Sequence, residues 1–115
     1  MKTFNALTLS AAAALSAMAS VPAAAADSFT LVNRTGAPIS SIALRRVGVQ
    51  GWTGVSGSAA DGARTNVNFS DPDCAFDIKV TAGGTDLLFA GANLCAVTVL
   101  TLNRRPDGSL WIDYD

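Results

Sequence analysis

The chain has few side chains that could carry out acid–base or nucleophilic chemistry. It contains no histidine and no glutamate among its 115 residues. Serine and threonine are plentiful, but a hydroxyl nucleophile needs an adjacent base, and the usual imidazole is missing. Any catalytic mechanism would have to depend on aspartates, so we expect a protein that is not an enzyme.

Asp71, Asp73 and Asp77 are the closest group of carboxylates. Two carboxylates could divide acid and base roles between them, and clustered carboxylates also suit a hard cation such as calcium. The spacing of an EF-hand is absent, because Ala75 stands where a third ligand is needed. Turn chemistry around Pro72, followed by a solvated strand face, explains these aspartates more simply. We therefore expect no metal and no cofactor.

Trp52, Arg45 and Arg46 are the candidate contact residues for a ligand or partner. Trp52 is the large side chain of a glycine-rich stretch, 48–63. It could stack on a ligand, as exposed aromatic residues do at recognition sites, or fold back as a lid over one end of the core. The Arg45–Arg46 doublet could hold an anionic group, or it could mark a solvated strand end.

Cys74 and Cys95 are the two cysteines, and they allow one intramolecular pairing. The chain has no Cys-x-x-Cys spacing and no histidine to complete a soft-metal site, which favours a disulfide over a reactive or metal-binding pair. The chain-entropy model values such a bridge at roughly 3 kcal/mol. In so small a domain that contribution could decide whether the chain folds.

The N-terminal segment is typical of a secretory signal peptide. Lys2 precedes an apolar, uncharged run at 6–18, and a short break leads to the alanines at 23–26. The run is shorter than the roughly 20 residues of a membrane anchor. We predict cleavage after Ala26, which divides the chain into a signal peptide, 1–26, and a single domain, 27–115. The mature protein would be periplasmic or secreted, with no membrane span.

The charge of the predicted mature domain limits the choice of partner. Without Lys2 the chain has seven basic and nine acidic side chains, and they are scattered along it. There is no basic stripe for nucleic acid and no polybasic segment for a membrane surface. We expect a partner, if there is one, to be an envelope or extracellular protein.

Alternating short segments predict the elements that position these residues. Cys74, Phe76, Ile78 and Val80 share one face of a strand while Asp77 and Lys79 share the other, which is the period of two of a half-buried strand. Seven short strands are predicted, at 28–33, 39–47, 64–69, 74–81, 86–90, 94–103 and 110–114. Segment 94–103 is apolar on both faces, as in a central strand. Glycines leave 48–63 as a long loop without regular structure. The pattern predicts an all-β fold, a small antiparallel β-sandwich.

The disulfide favours two sheets over one. If 74–81, 86–90 and 94–103 formed a flat meander, the outer strands would lie about 9–10 Å apart. Bridged cysteines need Cα atoms within about 7 Å. Either Cys74 lies in a curled entry to its strand, or the chain changes sheet between the two cysteines. A sandwich satisfies the bond.

Four short motifs, taken in order, resemble a group of small secreted bacterial proteins of unknown function. They are Asn33-x-Thr35-Gly36, Gly51-Trp52, Asp73-Cys74-x-Phe76-Asp77-Ile78-Lys79-Val80 and Asn93-Leu94-Cys95. The tryptophan of that group is usually followed by an acidic residue and a leucine, whereas Thr53 and Gly54 stand here. Members are sometimes labelled argininosuccinate lyase, a large helical enzyme family that this chain does not fit. The resemblance implies export, a disulfide and a β fold, and it implies no catalytic residues.

Together these patterns favour a non-enzymatic binding or interaction module that acts through the 48–63 loop. A secreted enzyme inhibitor and a structural envelope component are the alternatives. A carboxylate-based enzyme and a calcium-binding protein fit less well, because each would need a role for the aspartates that turn chemistry already explains.

Overall fold

The structure, a computed structural model, describes residues 24–115. Eight strands follow one another: β1 Phe29–Arg34, β2 Ile39–Arg46, β3 Thr53–Val55, β4 Arg64–Val67, β5 Ala75–Ala82, β6 Thr85–Asn93, β7 Val99–Arg104 and β8 Leu110–Tyr114. Within 24–115 no helix is long and apolar enough to cross a membrane. The predicted signal peptide lies outside the described residues, apart from its last three positions.

Two four-stranded sheets form a sandwich. The first sheet has the strand order β4-β1-β7-β8, and the second has the order β3-β2-β5-β6. The prediction of an all-β, two-sheet fold is confirmed. The strand pairs are antiparallel except β1 and β7, which run parallel with Leu31 opposite Leu100. This pair can be parallel because the whole second sheet is built between β1 and β7 in the chain, which gives the crossover the length it needs.

The core lies between the sheets and follows the alternation of the strands. The inward residues of β5 and β7, Ile78, Val80, Leu100 and Leu102, are fully buried. β7 is central in its sheet, as its apolar sequence predicts. Phe69 and Phe76 meet edge to face, with ring centroids 5.1 Å apart, and both pack at the same core.

The Cys74–Cys95 disulfide is confirmed, with Cα atoms 5.1 Å apart. Both cysteines lie just beyond the end of the β5–β6 hairpin, whose last pair is Ala75 and Asn93. Leu94 N–H donates to the carbonyl of Cys74 at 2.9 Å. The chain leaves the second sheet after Asn93 and enters the first at Val99, so the bridge lies where the chain changes sheet.

Two strand predictions were wrong. The 48–63 stretch is not irregular throughout, because β3 pairs with β2 and Ala59 forms a bridge with Ile39. Residues 94–98 are not the start of a long strand, because the chain turns there from one sheet to the other, and Ala96 adopts a positive φ of 59°. Leu94 is apolar because it is buried in the core, not because it belongs to a central strand.

Candidate functional site

The outer face of the second sheet has three rows of side chains, set by the pairing of β2, β5 and β6. Arg45 lies opposite Asp77 in the first row, and Lys79 lies between Ala43 and Leu88 in the second. In the third row, Ser41 donates to Thr81 at 2.8 Å and Thr81 donates to Asp86 at 2.7 Å. The face therefore has an ion pair at one end, a hydrogen-bonded row at the other, and Lys79 between a small and an apolar side chain in the middle.

Trp52 lies across the first two rows. The Arg45 guanidinium carbon is 4.3 Å from the centroid of the indole ring, and Lys79 Nζ is 4.6 Å from it. Ala43 and Gly54 pair in the same row as Lys79, so small residues there leave space for the ring. One of the two interpretations of Trp52 placed it as a lid over one end of the core. That interpretation is wrong, because the indole lies on the outer face of a sheet, where it is half-buried.

Arg45 and Asp77 form an ion pair beneath Trp52. Arg45 Nε donates to Asp77 Oδ2 at 3.0 Å, and Gly91 N–H donates to Asp77 Oδ1 at 3.0 Å. The hydrogen bond from Gly91 and then the Arg45 guanidinium hold the pKa of the Asp77 carboxyl below its ordinary value, against the opposing effect of burial. The predicted solvated strand face is wrong at this position, since Asp77 is 7% exposed. The pairing is the physical reason that a carboxylate can be buried here.

Arg46 belongs to a different cluster from Arg45. Its Nη2 donates to Asp71 Oδ1 at 2.9 Å, and its Nε lies 3.6 Å from Asp73 Oδ2. The hydrogen bond from Asp73 N–H, and then Arg46, lower the pKa of the Asp71 carboxyl, while the bond to Asp71 raises the pKa of Arg46. Alternation along β2 separates the two arginines, so the sequence doublet is not one anion site.

The aspartates are occupied by these ion pairs and hydrogen bonds. A general acid needs a pKa raised towards the working pH, whereas the pKa values of Asp71 and Asp77 are lowered. In the range 24–115 no group of three or more histidine, cysteine or acidic side chains is placed to hold a metal ion. The Arg46 guanidinium occupies the position between Asp71 and Asp73 that a cation would take.

A groove of about 320 Å³ lies beside the Arg46 cluster, under the segment that leads into β3. Its walls include Leu44, Val49, Gly51, Phe69 and Phe76. Val49 is 51% exposed, so this segment presents apolar surface as well as backbone. Arg45, which contacts the Trp52 ring, also lines this groove together with Arg46, so the two clusters adjoin each other.

Sequence reasoning missed Lys79 and Leu88 as members of the Trp52 face. Lys79 alternates outward on β5, which the period of two indicated, but its contact with Trp52 depends on the unpredicted β2–β3 pairing. Leu88 is 47% exposed and is paired with Lys79. Alternation along β6, which puts Leu88 on the opposite face from the core residues Leu87 and Phe89, was the available signal.

A second apolar groove, of about 220 Å³, lies between the edge strands β6 and β8. Leu88, Phe89, Leu110, Trp111 and Tyr114 contribute to its lining. Tyr114 is 46% exposed, and its hydroxyl accepts a hydrogen bond from Asn93 N–H at 3.1 Å across the open side of the sandwich. The edges of both sheets therefore meet along one side of the molecule.

Fold and site together define a small disulfide-bridged β-sandwich with an aromatic and cationic cluster on one sheet face. Comparisons with protein-family models, with curated proteins and with solved structures found no match for the chain.

Proposed function

We propose that the protein is an exported, non-catalytic binding module, and that the outer face of the second sheet around Trp52 is its recognition surface. The observation that carries the proposal is the Trp52 cluster, in which an indole ring contacts Arg45 and Lys79 and is only half-buried. Tryptophan and arginine are the residues most enriched at the energetic centres of protein interfaces. The partner that suits this surface is an envelope or extracellular protein.

The arrangement of the face supports a protein partner in two ways. Arg45 is fixed by Asp77 and by the indole, so less side-chain entropy would be lost when a partner binds. Leu88 adds exposed apolar surface next to Lys79, and the Ser41–Thr81–Asp86 row adds polar groups at the rim. An apolar and aromatic centre with a polar rim is the usual anatomy of a protein interface.

Export and the absence of catalysis belong to the same proposal. The disulfide supports an oxidising compartment, the periplasm or the exterior, and the N-terminal sequence supports a route there. The lowered pKa values of Asp71 and Asp77 support a non-catalytic role for these carboxylates. The resemblance to small secreted bacterial proteins supports the same class.

Site-specific photo-crosslinking in the native host tests the surface. A photoreactive amino acid is placed at Leu88 on the Trp52 face and, as the matched control, at Thr101 in the first sheet. We expect an adduct of discrete mass from position 88 that is absent from position 101 and is lost when Trp52→Ala is added. Adducts of equal yield from both positions, or an adduct that Trp52→Ala leaves unchanged, would contradict the proposal.

The groove between β6 and β8 favours a second candidate, a structural envelope component that associates with itself. If two copies paired antiparallel through β8 about Ile112, Asp113 of one copy would face Trp111 of the other. Arg105 lies over that Trp111 ring, 4.2 Å from the centroid, so opposite charges would meet. Sedimentation at increasing concentration distinguishes the candidates, because self-association through β8 would weaken in Ile112→Lys and the proposed module would stay monomeric.

A further inference from the structure

Ala26 is part of the folded domain. Its N–H donates to the carbonyl of Asp71 at 2.8 Å and lies 3.3 Å from that of Asp73, and its own carbonyl accepts from Asp71 N–H at 3.2 Å. Ala26 also forms a bridge with Cys95, packs in the core cluster and is 2% exposed. The two residues before it are exposed.

Cleavage after Ala26 would remove these contacts. The N–H and the carbonyl of Asp71 would lose their partner at the turn that precedes Cys74, and the core would lose a buried methyl group. Unpaired backbone groups at a partly buried site reduce stability. The same cut would release the chain from its attachment beside the Cys74–Cys95 bridge.

We propose that the leader peptidase hydrolyses the Ala25–Ala26 bond, one residue earlier than the sequence pattern first indicates. Water adds across this peptide bond, which leaves a carboxylate on Ala25 and an α-ammonium on Ala26. Ala23 and Ala25 then supply the small side chains that the peptidase requires on the leader side of the cut. Both candidate sites satisfy that requirement, and the folded contacts of Ala26 decide between them.

The new ammonium suits the position that Ala26 occupies. It has three N–H donors, and the carbonyls of Asp71 and Asp73 already lie at 2.8 and 3.3 Å from the nitrogen. Hydrogen bonds from a charged donor are stronger than those from an amide. Processing at this bond would therefore strengthen the attachment of the N-terminus to the turn before Cys74.

The intact mass of the protein exported by its host tests the site. We expect a mature chain that begins at Ala26 and carries the disulfide. A chain that begins at Asp27, a chain that begins at any other residue, or an uncleaved precursor would overturn the proposal.

Two substitutions in the full precursor form a matched pair. Ala25→Gln places a large side chain directly before the proposed cut, so we expect the N-terminus at residue 26 to be lost. Ala26→Gln should still be cut before residue 26, but the protein should melt about 4–8 °C lower because a buried position is disrupted. The reverse pattern, in which Ala26→Gln blocks processing and Ala25→Gln does not, would place the cut after Ala26 and overturn the inference.

Discussion

Asn33 joins three segments of the chain through one buried side chain. Its amide nitrogen donates to the carbonyls of Ala37, Ala59 and Ala60, at 2.8, 3.0 and 3.2 Å. Its amide oxygen accepts from the N–H and the hydroxyl of Thr35. The Asn33-x-Thr35-Gly36 motif therefore fixes the β1–β2 turn and holds the 48–63 stretch to the domain. The side chain is fully buried.

Asn33→Asp should destabilise the protein by about 3 kcal/mol, since it keeps the acceptor towards Thr35 but removes the three hydrogen bonds that the amide nitrogen donates, at about 1 kcal/mol each. Urea unfolding monitored by circular dichroism measures the loss. Asn68→Asp is the matched control, because Asn68 is exposed and should tolerate the change. Equal stability of the two variants would show that the Asn33 network contributes nothing.

Asp77 gives the protein a defined acid sensitivity. The pKa of Asp77 is lowered in the folded state, so the folded protein binds fewer protons at this group than the unfolded chain does. Its stabilising contribution is complete above the ordinary pKa of 3.8 and disappears as the pH falls through the lowered folded value. The contribution is therefore lost on the acid side alone.

Asp77→Asn removes this contribution and should cost about 1–3 kcal/mol at neutral pH, the usual effect of losing hydrogen bonds to a charged group. Unfolding free energies of the wild type and the variant, measured from about pH 7 to pH 2, should converge below about pH 4. Asp27→Asn, at an exposed position, is the control. A difference that stays constant into acid would mean that ionisation of Asp77 does not stabilise the fold.

Among the elements, the β5–β6 hairpin was predictable and β3 was not. Gly83 and Gly84 have positive φ values of 58° and 82°, which is the two-residue turn that Ala82-Gly83-Gly84-Thr85 indicates in sequence. β3 has three residues and a glycine at its centre, so its formation depends on pairing with β2 and not on its own pattern. Trp52 comes directly before β3, and its contacts with Arg45 and Lys79 were unpredictable for the same reason.

The hairpin and the disulfide stabilise each other. Ala75 and Asn93 hold the strand ends together, and the bridge closes just beyond them over a sequence separation of 21. Replacing both cysteines with serine should cost roughly 3 kcal/mol, because the unfolded chain regains the freedom that the bridge removes. Thermal unfolding of the variant and of the reduced wild type should show the same loss. A variant as stable as the oxidised wild type would show that the hairpin alone fixes this end of the sandwich.

At the scale of the molecule, strand alternation and the disulfide predicted the two-sheet architecture. They did not predict which strands pair with each other. Phe76, Ile78 and Val80 could be assigned to the core from their spacing, and they are buried there. The parallel pairing of β1 with β7 brings together segments about 70 residues apart in the chain, and short-range patterns carry no information on such pairings. The rows of the Trp52 face depend on the same long-range register. The sequence therefore identified Arg45 and Trp52 as candidates. It did not show that Lys79 and Leu88 belong to the same face, or that Arg46 belongs to a different cluster.

The two arginines of the doublet make different contacts. Arg45 supports the indole and pairs with Asp77, while Arg46 joins the end of β2 to the turn that holds Asp71 and Asp73. Neighbouring residues on a strand face opposite sides of the sheet, which is why these two side chains make different contacts. The proposed recognition surface is therefore one face of the second sheet and not the whole 48–63 stretch.

The native mass of the protein recovered gently from its host, compared between the wild type and Trp52→Ala/Lys79→Gln, tests this surface most directly. The control for folding and handling is Trp111→Phe, which changes the other tryptophan of the chain; Trp111 lies in the first sheet. For the wild type and the control we expect a complex that is heavier than the bare chain by one discrete mass, and for the double variant we expect the bare chain. The same complex in all three proteins, or the bare chain in all three, would contradict this prediction.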